Sequence, residues 1–154
     1  MLKNGKNKQI IYITFFLYLL ALFYLVFWWH RGYWRNMSMV EYALFQMNII
    51  PFKTIIEYIL AFVDGRMNLA IPIMNLGGNF LMFYPMGVYL PLLFKNIKTW
   101  RKYIFIIVGI LFGVEVIQFF TKRGALDIDD FILNLLGALL GFAIWRFLSK
   151  RKIK

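Results

Sequence analysis

Residues 123–148 read RGALDIDDFILNLLGALLGFAIWRFL. From Phe131 to Leu148 the stretch is apolar apart from Asn134 and, near its end, Arg146. At about 1.5 Å per residue it crosses most of a ~30 Å hydrocarbon layer. At about 100° per residue, Asp127, Asp130, Asn134, Gly137 and Gly141 fall in a stripe about 80° wide. Asp129 projects to roughly the opposite face, so Asp130 is the acid expected to point inward. Polar groups at membrane depth face the protein interior, and glycines on the same stripe let another helix approach closely. This is the signature of a helix buried on one side among other membrane helices.

Three further apolar runs surround it. Residues 10–29 are an uninterrupted run. Residues 69–94 are interrupted by Pro72, Asn75, Asn79, Pro85 and Pro91. Residues 103–120 carry Glu115 and Gln118. The 154-residue chain is 62% hydrophobic and only 16% charged, whereas soluble domains run nearer half apolar and about a quarter charged. A soluble core, a disordered chain, a coiled coil and a collagen are excluded. No cysteine is present, which excludes disulfides, cysteine nucleophiles and thiolate metal sites. The prediction is an all-α integral membrane protein forming a single domain over residues 1–154. Its four transmembrane helices span 10–29, 69–94, 103–120 and 131–148. Residues 37–63 differ: their apolar piece TIIEYILAFV is too short to cross, and they are read as an outer interfacial or re-entrant segment covering the site, with a turn at Asn48 and Pro51. Basic residues before the first run imitate a signal peptide. That run is too long for an h-region and lacks a small-x-small cleavage site, so it is read as a retained helix.

The net charge of +11 is topological. The N-terminal tail, the loop at 95–102 and the C-terminal end from Arg146 hold twelve of the eighteen basic residues and no acid. Basic flanks mark the cytoplasmic side, so the expectation is a multi-pass membrane protein with both termini on the cytoplasmic side. Trp28, Trp29, Tyr33 and Trp34 would then form an outer aromatic belt. No basic face with interleaved aromatics exists on a soluble element, so no nucleic-acid partner is expected.

Counting outward at about 1.5 Å per residue from the nearest cytoplasmic basic residue, Glu115 and Gln118 lie roughly 20 and 24 Å up. Asn134 and Asp130 lie roughly 18 and 24 Å up, and Asn79 and Asn75 roughly 24 and 30 Å. Three helices therefore place polar groups in one layer of the outer half of the membrane. One reading is structural glue, with Asp130 or Glu115 paired to Arg123 or simply protonated. Membrane hydrogen bonds average only about 0.6 kcal/mol, so glue repays buried carboxylates poorly, and a functional site is favoured. Spans three and four, joined by a short loop, are expected to pack side by side, with Gly137 and Gly141 permitting close approach. Glu115 and Asp130 would share a cavity in which both cannot easily ionise without compensation. Gly77 and Gly78 lack the residues of a phosphate loop and are read as a bend or a close helix contact. His30 has no partners for metal or triad chemistry.

Four stretches, NIIPF (48–52), NLGGNFLMFYPMGVYLP (75–91), EVIQFF (115–120) and RGALDIDDFILNLLGALLG (123–141), occur in this order. Together they resemble the VanZ family of bacterial membrane proteins over roughly residues 45–141. The motif residues that transfer are Asn48, Pro51, Asn79, Pro85, Gly87, Glu115, Gln118, Arg123, Asp127, Asp130, Asn134 and Gly137. The resemblance implies a link to resistance against teicoplanin-type glycopeptide antibiotics, without target-remodelling enzymes, and implies no particular reaction.

Three functions follow as expectations. The first is a cell-envelope protein lowering glycopeptide susceptibility through the outer polar site, the antibiotic being affected indirectly. The second is a carboxylate-based transferase or hydrolase acting on a lipid or polyprenyl-linked substrate. There Glu115 or Asp130 would be general acid or base, Asp127 a partner or cation ligand, and Arg123 an anion clamp. Gln118, Asn134, Asn79, Asn75 and Asn48 would orient the substrate. Oxygen ligands alone suit Mg²⁺ or Ca²⁺, which leaves a divalent cation open. The third is a non-catalytic binder of a membrane lipid, lipid-linked cell-wall precursor or protein partner.

Overall fold

The computed structural model describes residues 5–29 and 36–151. Four helices are long and apolar enough to cross a membrane: Gly5–Trp28, Ala70–Leu93, Trp100–Thr121 and Ile128–Lys150. Each predicted run lies within or close to one of them. The first, third and fourth helices extend a few residues beyond the apolar run, because backbone hydrogen bonding continues into the polar flank. Of the expected aromatic belt, the side chain of Trp28 is described; the other three side chains, with His30, Arg31 and Arg35, lie outside the described residues.

The first span is α1 (Gly5–Tyr24), continued by a π-helical turn at Leu25–Trp29. The second is broken into α4 (Ala70–Pro72), a π-helical turn at Ile73–Gly77, α5 (Gly78–Met82) and α6 (Tyr84–Leu93). The break between α5 and α6 has a local cause. Pro85 lacks an N–H, and the Met86 N–H turns to the carbonyl of Phe83 at 3.1 Å, one residue short of its α-helical partner Met82. The Met82 carbonyl is instead taken up by the Tyr18 hydroxyl of α1 at 2.9 Å, the kind of substitution that lets membrane helices tolerate proline. Gly77 and Gly78 lie at the π-helical turn with open space beside them. They serve the bend, and the alternative of a close helix contact is not found.

The third and fourth spans are α7 (Trp100–Thr121) and α8 (Ile128–Arg151). The expectation that Gly137 and Gly141 join these two is corrected. A Cβ on Gly137 would strike the carbonyl of Phe80, and one on Gly141 the carbonyl of Tyr84. Gly87 in turn abuts the backbone of Ala138, Gly141 and Phe142. The glycine stripe therefore seats spans two and four against each other. Sequence proximity of α7 and α8 misled, because a short loop requires only neighbouring ends, whereas backbone-to-backbone contact needs small residues on both faces. α7 meets α8 through larger side chains: the fully buried Tyr103 stacks on Phe142 at 4.2 Å and donates to the Ala138 carbonyl at 3.0 Å.

Residues 36–69 form α2 (Met39–Gln46), strand β1 (Met47–Asn48) and α3 (Lys53–Val63). Ser38 caps α2, its hydroxyl accepting from the Glu41 N–H while Glu41 accepts from the Ser38 N–H at 2.8 Å, a reciprocal capping box. Those bonds hold the Glu41 carboxyl below its ordinary range. β1 pairs in parallel with β2 (Leu126–Asp127), Met47 opposite Leu126 and Asn48 opposite Asp127. The connections between spans one and two and between spans three and four therefore sit together at one end, here the cover end. Arg146 donates to the Lys98 carbonyl at the other, the loop end. The segment expected to be interfacial or re-entrant is thus two short helices and a strand laid against the turn before α8.

Candidate functional site: a covered polar cavity

At the cover end the four spans separate around a cavity of about 1090 Å³. Its polar lining includes Asn75 and Asn79 from the second span, Glu115 and Gln118 from the third, Arg123 and Asp127 from the connection, and Asp130 and Asn134 from the fourth. Eight of the nine residues singled out from sequence thus line a single cavity, the ninth being Asn48. Asn48 sits behind it: its Nδ2 donates to Asp127 Oδ1 at 3.0 Å and to Thr54 Oγ1 at 2.9 Å, while its Oδ1 accepts from the Ile50 N–H at 3.2 Å. The last bond makes the turn expected at Asn48 and Pro51.

The carboxylates differ sharply in their partners. Asp127 has a donor on each oxygen: besides Asn48 it accepts from the Thr54 hydroxyl at 2.6 Å and from the Asp129 N–H at 2.8 Å. Asp130 accepts from Asn79 Nδ2. Glu115 is buried, 8% exposed, and its Oε2 has no hydrogen-bond donor; the same is true of Oδ1 of Asn134, 7% exposed. The ion pair of Arg123 with Glu115 or Asp130, weighed from sequence, does not form. The ion pair among the described residues is Arg66–Asp64, at the surface. The Arg123 guanidinium lies over the Trp28 ring, 4.9 Å from its centroid, within cation–π range. Gln118 ties the cavity wall to the first span, its Nε2 donating to the Val26 carbonyl at 2.9 Å. Asn75 bonds back to the Ile71 carbonyl of its own helix. Among the described residues no three carboxylate or imidazole groups converge to hold a metal ion.

Asp130 faces the cavity, and Asp129 faces away from it as its helical position requires. What sequence missed is that the opposite face is not free. Asp129 is fully buried and accepts the N–H groups of Phe52 at 2.5 Å and Ile55 at 3.2 Å. Those are orphan donors at the start of α3. Phe52 has a left-handed backbone, φ 66°, costly for a bulky residue, and Asp129 is what holds it there. Thr54 and Tyr58 of α3 and Gln46 of α2 complete the cavity wall. Thr54 and Tyr58 are four apart on α3, a spacing that puts them on one face and was the available signal. Burial, then the nearby Asp130 and Asp127 carboxylates, push the Tyr58 phenol above its ordinary range.

The family model described as VanZ/LLP1 matches residues 15–149 of this chain. Protein VanZ of Enterococcus faecium is 30% identical over 134 residues, covering 87% of this chain and 72% of that protein. No solved structure matches.

Proposed function

The chain belongs to the VanZ/LLP1 family, and from that premise we propose that it is a cell-envelope membrane protein that lowers susceptibility to teicoplanin-type glycopeptides through the covered polar cavity. The observation that carries the reading is the convergence of polar side chains from three spans and a connection on one cavity. Glue needs paired groups, yet Glu115 and Asn134 each keep a buried acceptor without a donor. In this reading Glu115 and Asp130 meet the ligand, a membrane lipid or lipid-linked cell-wall precursor. Asp127, its oxygens already engaged, positions the cover. Placing the cover end outside, as the basic loop end argues, puts the cavity in the leaflet where such antibiotics meet their targets.

The test is antibiotic susceptibility in a sensitive host with and without expression. Expression of the native chain should lower teicoplanin sensitivity. Glu115→Gln and Asp130→Asn should insert and fold normally but lose that effect. Full retention by both amide variants would sink the shared-site reading. The orientation is checked separately: cysteines at Glu57 or Asp64 should react with an impermeant thiol reagent added to intact cells. A second reading, carboxylate-based catalysis on a lipid-linked substrate, is favoured by the unpartnered Glu115 oxygen. It requires the lipid profiles of native and Glu115→Gln cells to differ by mass spectrometry.

A further inference from the structure

The wall of the cavity between the first and second spans is apolar. Leu22, Leu25 and Val26 stand on one side, Ile71, Ile73 and Met74 on the other. The two spans meet in their other halves, where Tyr18 bonds to Met82 and Phe15 packs on Tyr89. Towards the cover end Leu25, Ile71, Ile73 and Met74 are exposed, as is Leu81. The cavity thus joins a polar end, rich in acceptors, to an apolar flank that opens sideways. In a bilayer that flank faces acyl chains.

The polar end is unbalanced. Three carboxyl groups and one guanidinium line it, and among the described residues neither Glu115 nor Asp130 has a cation within ion-pair distance. Glu115 is more than nine-tenths buried, and its Oε2 and Oδ1 of Asn134 both lack a donor. What is missing is a group that brings several N–H donors and positive charge, and a primary ammonium brings three. Arg123, unpaired with any of these carboxylates, is suited to a phosphate. We propose that the cavity binds a zwitterionic phospholipid carrying a primary ammonium, which enters laterally between the first and second spans. The ammonium sits at Glu115, Asp130 and Asn134, the phosphate at Arg123, and the tails lie along Leu25, Met74 and Leu81. This names the ligand of the site proposed above and rests on that cavity being the functional one.

The experiment uses the full chain in nanodiscs of phosphatidylglycerol doped with phosphatidylethanolamine, with lipids retained through mild detergent counted by native mass spectrometry. Phosphatidylethanolamine should be enriched about tenfold over phosphatidylglycerol, the scale of one charge-assisted hydrogen bond. N-acetylated phosphatidylethanolamine should show no enrichment. Glu115→Gln should abolish most of the preference, Arg123→Gln should weaken it less, and Leu81→Trp at the exposed flank should lower retention of every diacyl lipid. Free phosphoethanolamine should not displace the lipid, because it lacks the tails. Displacement by it, equal retention of the two phospholipids, a preference for glucosyl diacylglycerol, or a preference indifferent to Glu115→Gln would each overturn the proposal. Glu115→Gln that fails to fold is bypassed by the N-acetyl comparison on the native chain. The binding assay and the susceptibility assay fail independently: selective retention without altered teicoplanin sensitivity would remove the resistance reading and leave the ligand standing.

Discussion

The two ends of the bundle are built from the same four helices by opposite means. Towards the loop end, Gly87, Gly137 and Gly141 bring the second and fourth spans into backbone contact. Around them Tyr103 and Trp145 stack on Phe142 and Trp100 meets it edge-on, at centroid distances of 4.2–5.6 Å, and Ile107 and Leu111 are fully or almost fully buried. At the cover end the same helices part around a polar cavity, and contact is made by hydrogen bonds that reach across from residues 36–69. Lipid gives helices no hydrophobic reason to associate, so close packing at one end must hold the bundle while the other stays open. Close packing and an open cavity are here two halves of one bundle.

The comparison breaks most readily at the glycine contact. Gly137→Val should cost more than about 3 kcal/mol, since overpacking against a backbone carbonyl that cannot move is at the severe end of such substitutions. Loss of monodisperse protein on size exclusion would report it. Next is Asp129→Ala, which orphans two part-buried N–H donors and releases the strained Phe52; about 2 kcal/mol of local stability should go. Limited proteolysis should then cut between Ile49 and Arg66, while the spans stay resistant. Tyr103→Phe at the packed end removes one fully buried hydrogen bond and should lower stability by about 1 kcal/mol, between the membrane average and its upper limit for such bonds. Glu115→Gln and Asp130→Asn should be milder still for stability, below about 1 kcal/mol, because isosteric amides fit the same space. A large loss of stability with those two would mean that the open end is structural. Gly109→Ala should change nothing measurable: no atom lies within 4 Å of its Cβ position. An effect comparable to that of Gly137 would show that the third span also packs through its glycines.

Four spans were legible because hydropathy is a sum along the chain, and apolar runs such as 103–120 carry it without reference to partners. The cavity lining was legible for a related reason. Helical periodicity places Asp130 with Asn134 and Glu115 with Gln118, and a buried carboxylate has few other places to face. Asp129 escaped the same logic. Its helical phase was read correctly, but the phase says only that it leaves the cavity, and its partners Phe52 and Ile55 lie more than seventy positions away.

By itself, then, the sequence determined the number of membrane-length helices, the run of each and the inward face of the fourth, since these depend on residue type and a local repeat. Only the tertiary structure decided that Gly137 and Gly141 meet the second span and not the third, that β1 pairs with β2, and that Thr54 and Tyr58 roof the cavity. Those outcomes depend on which surfaces fit once helices distant in sequence lie side by side, and neither hydropathy nor periodicity encodes a partner.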